Sequence, residues 1–186
     1  MMILGIYLLF AILLLLFAYV VFRRLVRADY RDRGHLGPLA SILQLCVFAG
    51  YFSFPYLFNP LEWAWFWRHT GPTPAVIHWA GLGVICLGLI LAFGTMAWFG
   101  IGKAFGLKVE GITKQGLYKF SRNPQILGGY LLVIGTVLQW PSWYALGWLV
   151  MYGILAHWMV ITEEEHLLRL FGEEYQSYCS EVRRYL

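Results

Sequence analysis

The sequence predicts an all-α integral membrane protein of about five transmembrane helices, closed by a C-terminal amphipathic helix on the cytoplasmic side. Three observations carry that prediction. The 186-residue chain is 60% hydrophobic and only 13% charged, with a mean hydropathy of +0.62, too little polar surface to wrap a soluble core of this size. Its apolar residues fall into blocks near the ~20 residues that a helix needs to cross a bilayer. The charged residues stand mostly between those blocks. No polar stretch is long enough for a separate soluble domain. Residues 1–186 therefore read as a single membrane domain, with three N-terminal spans in 1–99 and a loop, a helical hairpin and a C-terminal helix in 100–186.

The formal net charge is +4. A basic balance points to nucleic acid when it is gathered on a polar face; here the basic residues flank apolar spans, and no nucleic-acid partner is expected. The three cysteines make no disulfide framework, since Cys46 and Cys86 fall inside spans and Cys179 lies near the C-terminus. No CxxC or Cys/His cluster gives a metal site.

The first span runs from Ile3 to Phe22 and ends at Arg23 and Arg24. A cleaved signal peptide has a basic start and a shorter apolar core; this segment has neither and reads as a retained helix. The second span covers Leu36 to Leu57, with Pro38 at a helix start, where its missing N–H is no loss, and Pro55 close to the end. The loop from Phe58 to Ala75 holds Trp63, Trp65 and Trp67, whose amphipathic rings suit the headgroup level. The third span is Val76 to Phe99, in which Gly81 and Gly83 are read as packing positions.

A polar stretch, Gly100 to Pro124, precedes two further apolar segments, Gln125 to Gln139 and Ser142 to Ile161, joined by Trp140-Pro141-Ser142. The fourth segment is shorter than the ~20 residues of a full span. It begins deeper in the membrane or forms a tight hairpin with the fifth. From Thr162 to Leu186, charge alternates with apolar residues at helical spacing, which puts Leu167, Leu170, Phe171, Tyr175, Tyr178 and Val182 on one broad face. Of the 14 Lys and Arg, all but Arg68 fall on one side of this arrangement. Basic loops stay in the cytoplasm, so the N-terminus is expected outside and the C-terminus in the cytoplasm.

Two polar clusters share the basic side. One is Gly116 to Pro124, just before the fourth segment; the other is Glu163-Glu164-Glu165-His166, directly after the fifth. A hairpin of the two segments brings both clusters to the same end. Three carboxylates at a helix C-terminus oppose the helix dipole unless a cation answers them. If Thr162 caps a new helix, they are instead favourable first-turn residues and form only a solvated cap.

The second half of the chain resembles the integral membrane methyltransferases related to isoprenylcysteine carboxyl methyltransferase and the phospholipid methyltransferases. The first matching stretch is Ile112-Thr113-Lys114-Gln115-Gly116-Leu117-Tyr118-Lys119-Phe120-Ser121-Arg122-Asn123-Pro124 followed by Gly128. The second is Glu163-Glu164, Leu167, Phe171-Gly172, Tyr175, Tyr178, Val182 and Arg184. Asn123 departs from the family pattern by replacing a His, Ile126 by replacing an aromatic residue and Leu117 by replacing a Pro. Asn donates and accepts hydrogen bonds but does not titrate.

The resemblance implies S-adenosylmethionine as methyl donor, held at the cytoplasmic end of the last two spans under the C-terminal helix. By motif position, Tyr118, Arg122, Asn123, Pro124 and Gly128 would line the cofactor pocket. Glu163 and Glu164 would hold its amino group or ribose hydroxyls. Arg184 and Arg122 could pair with a carboxylate of donor or acceptor, and Arg122, Asn123 and Arg184 are the residues placed at the reaction itself. The chemistry needs mainly positioning, which contributes ~7–11 kcal/mol at best. A carboxylate acceptor needs no base whereas an amine must lose a proton, so Asn123 tilts the reading toward oxygen.

Other polar residues have competing readings. His78 and His157 lie in or near spans, where ionisable groups are functional candidates; His78, near a helix end, is read as interfacial, and His157, close to Glu163, as the better candidate. His166 is read as solvated. Gly100-Ile101-Gly102 follows a helix, so it is not a dinucleotide fingerprint; it is a cofactor contact or a packing element.

The expected function is thus methyl transfer to a small lipophilic acceptor, first a carboxylate of prenylcysteine type. A phospholipid amine is the alternative within that class. Outside it stand an NADPH-dependent reductase of sterol-reductase type and a non-enzymatic membrane interaction protein. The partners expected are the lipid bilayer and the acceptor.

Overall fold

The computed structural model of the chain describes residues 2–58, 69, 72–99 and 111–186. Helix α1 (Met2–Val20) continues through a π-helical turn, Val21–Val26, into α2 (Arg27–Asp32). Helices α3 (Pro38–Phe58) and α4 (Ala75–Phe99) follow. A 3-10 turn at Gly116–Lys119 then leads to α5 (Pro124–Gln139) and α6 (Trp143–Glu181). Among the described residues, four helices are long and apolar enough to cross a membrane (α1 with its continuation, α3, α4 and α6), and α5 is a shorter apolar one. The all-α membrane architecture expected from the sequence is the one observed. Leu, Ile, Val and Phe side chains are exposed along α1, α3 and α4, as they must be where lipid takes the place of a core.

Helices α1, α3 and α6 share one core. Tyr51 of α3 and Trp148 of α6 stack at 5.0 Å. Tyr51 Oη donates to the Trp148 carbonyl at 3.2 Å, and Trp148 Nε1 donates to the Tyr51 carbonyl at 3.0 Å. Tyr7 Oη of α1 donates to the Tyr144 carbonyl at 3.0 Å. Each ring thus buries its polar end inside the bundle, where no water is present to satisfy it.

Helix α4 docks on α5 backbone to backbone. A Cβ on Gly88 would stand 2.6 Å from the Gly128 carbonyl oxygen, and one on Gly135 would stand 2.6 Å from that of Gly81. Gly81 and Gly88, like Gly128 and Gly135, are two helical turns apart and so lie on one face. The pairing runs antiparallel. Small residues at such contacts are how lipid-embedded helices approach closely. Of the two glycines marked in the sequence, Gly81 is at this contact and Gly83 is not, for a Cβ there meets open space.

Two boundaries differ from the sequence reading. The first helix does not end at Arg23 and Arg24 but runs on to Asp32, because Arg23 and Arg27 pair with Glu165 of α6 across the helix contact. Thr162 does not cap a new helix either. Its hydroxyl donates to the Trp158 carbonyl at 2.8 Å and accepts from Arg23 Nη1 at 2.9 Å, and α6 passes straight through it. The break falls at Gly172, whose φ of 48° and ψ of −120° suit a residue without Cβ. Beyond it, Tyr175, Tyr178 and Val182 pack with Ile112, Leu167, Phe171 and Cys179 on the face expected, whereas Leu170 is exposed and lies off that face. Trp63, Trp65, Trp67, Arg68 and Gly100-Ile101-Gly102 lie outside the described residues.

A Gly88→Leu substitution is expected to lower stability by about 1–3 kcal/mol, the usual range for overpacking. Gly83→Ala should leave stability unchanged or slightly raised. Thermal unfolding in one detergent, followed by circular dichroism, compares the two.

Candidate functional site

The stretch before α5 and the residues after α6 are tied together by hydrogen bonds to backbone carbonyls. The Arg122 N–H donates to the Arg183 carbonyl at 3.0 Å. Asn123 Nδ2 donates to the Arg184 carbonyl at 3.1 Å, and Ser121 Oγ donates to the same oxygen at 3.4 Å. Tyr178 Oη donates to the Tyr118 carbonyl at 2.8 Å, while Tyr118 Oη donates to Gln125 Oε1 at 2.8 Å. Asn123 therefore spends its amide on fixing the tail. Pro124, fully buried, starts α5 at a position where no N–H is needed.

Facing this strap, α6 presents its carboxylates in three directions, because successive helix residues turn by about 100°. Glu164 lies between two arginines. Its Oε2 accepts from Arg184 Nη2 at 2.7 Å and from Arg184 Nε at 3.0 Å, and its Oε1 stands 3.3 Å from Arg122 Nη2. The Arg122 and Glu164 side chains are 11% and 13% exposed; that of Arg184 is 39% exposed, so this cation alone of the three reaches solvent well. Arg122 also donates from Nη1 to Cys179 Sγ. Glu165 turns the other way, to Arg23 Nη2 at 2.9 Å and Arg27 Nε at 2.7 Å.

Glu163 lies past the apolar run that ends at Ile161. Burial, with the Glu164 charge adding to it, pushes its carboxyl up to about 7. His166 is buried and not solvated as expected; its ring lies parallel to that of Tyr30 at 4.2 Å. Burial, then the Arg169 charge, holds it below the usual imidazole range.

Tyr118, Arg122, Asn123, Pro124, Glu163, Glu164 and Arg184 thus all lie at one end of the α5–α6 hairpin. Gly128 sits one turn further along α5 and faces Gly88 and Ala92 of α4, so its missing side chain makes room for a helix. His157 is exposed and borders an open groove of about 530 Å³ with Tyr130, Trp158 and Tyr185. His78 is buried among aromatic rings in the first turn of α4. Sequence reasoning gave Ser121 no role of its own and did not pair Glu165 with Arg23 and Arg27. The available signal was charge: a carboxylate beside an apolar span needs a cation, and the arginines after the first span are a dense block of them.

Three buried polar atoms around Glu164, namely Arg122 Nε, Glu164 Oε1 and Tyr185 Oη, have no hydrogen-bond partner among the described residues. Buried polar groups are nearly always satisfied. A cluster holding both charges and unused hydrogen-bonding capacity fits a polar ligand that itself carries both an acidic and a basic group.

Fold and site together define a helical membrane protein with an Arg–Glu–Arg centre at one end of a hairpin. A family model for phospholipid methyltransferases matches residues 76–174, more than half of the chain, and the chain belongs to that family of membrane methyltransferases. The match takes in the third span, earlier than the resemblance read in the sequence, and it stops before Arg184. No curated protein and no solved structure matches the chain.

Glu164→Ala is expected to lower stability by about 3 kcal/mol, since it leaves the buried Arg122 charge without its carboxylate. Glu164→Gln, which keeps the shape and a carbonyl acceptor, should be milder. Denaturant unfolding of both variants in detergent measures the difference.

Proposed function

We propose that this membrane methyltransferase uses S-adenosylmethionine and methylates a lipophilic acceptor, in the first place a carboxylate of prenylcysteine type. The observation that carries the reading is Glu164 between Arg122 and Arg184 with unused polar atoms around it. When bound, S-adenosylmethionine supplies a methyl group already activated by its sulfonium. Glu163 and Glu164 would hold its ammonium and ribose hydroxyls, and Arg122 its carboxylate. Tyr118, Asn123 and Pro124 would shape the pocket wall, and Gly128 would act indirectly, by letting α4 approach. Arg184, the more exposed cation, is free enough to orient an acceptor carboxylate as well. No base is then required, which suits Asn123 in the position of a family His.

The groove beside His157 and Tyr185 would let an acceptor enter sideways from the lipid. The basic side of the protein would face the cytoplasm, by the distribution of Lys and Arg.

A second reading, a phospholipid amine as acceptor, draws support from Glu163. A carboxyl poised at about 7 is suited to take the proton that an amine must lose before it attacks. Labelled donor offered with a prenylcysteine and with phosphatidylethanolamine, in separate assays, decides between the two acceptors.

Calorimetric titration of S-adenosylhomocysteine into the detergent-purified protein is expected to give micromolar affinity, weakened at least tenfold by Glu164→Gln. Binding of NADPH in its place would replace this reading with a reductase. Binding of neither to the folded protein would leave an interaction protein. Because Glu163 is ionised only above about pH 7, and the ionised form is the better partner for an ammonium, affinity should rise between pH 6 and 8. Glu163→Gln should flatten that rise.

A further inference from the structure

We infer that the arginines at the end of the first helix form a binding site for the headgroup phosphate of an anionic phospholipid, separate from the methyl-transfer centre. Arg23, Arg24, Arg27, Arg31 and Arg169, with Ala28, line a cleft of about 570 Å³. The first four stand at i, i+1, i+4 and i+8, which places them within about a 100° arc of one helix. Arg169 comes from α6, so the cleft is made by two helices that the chain brings together and is more than a stripe on one of them.

The charge of the cleft is only partly answered from within. Glu165 is shared by Arg23 and Arg27. Arg31 pairs with its neighbour Asp32, which also feels the charges of Arg33 and Arg169. Arg33 is turned to Asp29, whose other oxygen accepts from the Gly37 N–H at 2.8 Å. No ion pair is recorded for Arg24 or Arg169 among the described residues, and both are exposed. Five guanidinium groups therefore meet two carboxylates and keep a net positive charge.

Depth selects the ligand. The cleft begins at the π-helical turn Val21–Val26, directly where the apolar run of the first helix stops, and so stands at the level of the headgroups. Guanidinium forks match phosphate oxygens in pairs, and basic residues at this level draw anionic lipid. Free phosphate has the same oxygens but lacks the acyl chains, which would lie along the exposed apolar sides of α1. The cleft and the methyl-transfer centre are on different flanks of α6, about 100° apart: Glu165 turns to the first and Glu164 to the second.

The test uses the full chain in detergent, with thermal stability read as phosphatidylglycerol, phosphatidylcholine or inorganic phosphate is added. Phosphatidylglycerol is expected to raise the unfolding temperature, phosphatidylcholine to leave it nearly unchanged, and phosphate at the same concentration to do little. Arg24→Gln/Arg169→Gln touches no recorded ion pair and should fold; its apparent affinity for phosphatidylglycerol should fall roughly fivefold or more for each charge removed. Arg33→Gln, outside the cleft, should leave the affinity as it was. Equal stabilisation by phosphatidylcholine, an effect of phosphate as large as that of the lipid, or an undiminished response in the double variant would each overturn the assignment. None of these readings depends on the methyl donor, so failure here and failure of the proposed function are separable.

Discussion

Three adjacent carboxylates in the middle of a continuous helix set the terms for everything around them. No single partner can satisfy them, because each is turned about 100° from the last. An unpaired charge at the edge of a bilayer is expensive. Glu165 draws the first helix on past its apolar run through Arg23 and Arg27. Glu164 draws in Arg122 from before α5 and Arg184 from after α6. Glu163, without such a cation among the described residues, keeps its proton near neutrality. The convergence of three chain segments on one stretch of α6 follows from that electrostatic demand, and the polar centre is its product.

The region matched by the family model, residues 76–174, contains the glycine-packed α4–α5 pair, Arg122 and all three carboxylates. It does not contain Arg184, Tyr185, Arg23 or Arg27. The common framework therefore supplies the anionic side of the centre and one cation, and flanking chain supplies the remaining cations. On the proposed function, a partner residue from outside the framework is where acceptor preference would vary while the donor side stays fixed.

The helices were legible in the sequence because each is an apolar block of nearly the length that a bilayer demands, and lipid leaves few other ways to satisfy a backbone. The centre was legible because its residues fall in two ordered motifs. What was not legible lay in tertiary pairing. Arg23 looked like the end of a span until Glu165 was found beside it. His166 looked solvated until Tyr30 closed over it. Thr162 had the chemistry of a cap and is used for a contact between helices. Gly81 and Gly83 are alike in sequence, and only the position of α5 tells which of them must lack a side chain.

Helix α5 has 16 residues, a rise of about 24 Å, against about 30 Å for the hydrocarbon layer. Its far end turns into α6 at Trp143, 85% exposed, a side chain suited to the opposite membrane surface. At its other end, Asn123 and the arginine centre stand beside the apolar run of α6 and reach solvent through Arg184. For any acceptor carried in the bilayer, encounter with this centre is a search in two dimensions. Its frequency is then governed by the mole fraction of acceptor in the leaflet and not by its amount per volume of solution. Diluting the membrane with inert lipid would slow such a reaction, while diluting the whole suspension with buffer would leave that encounter untouched.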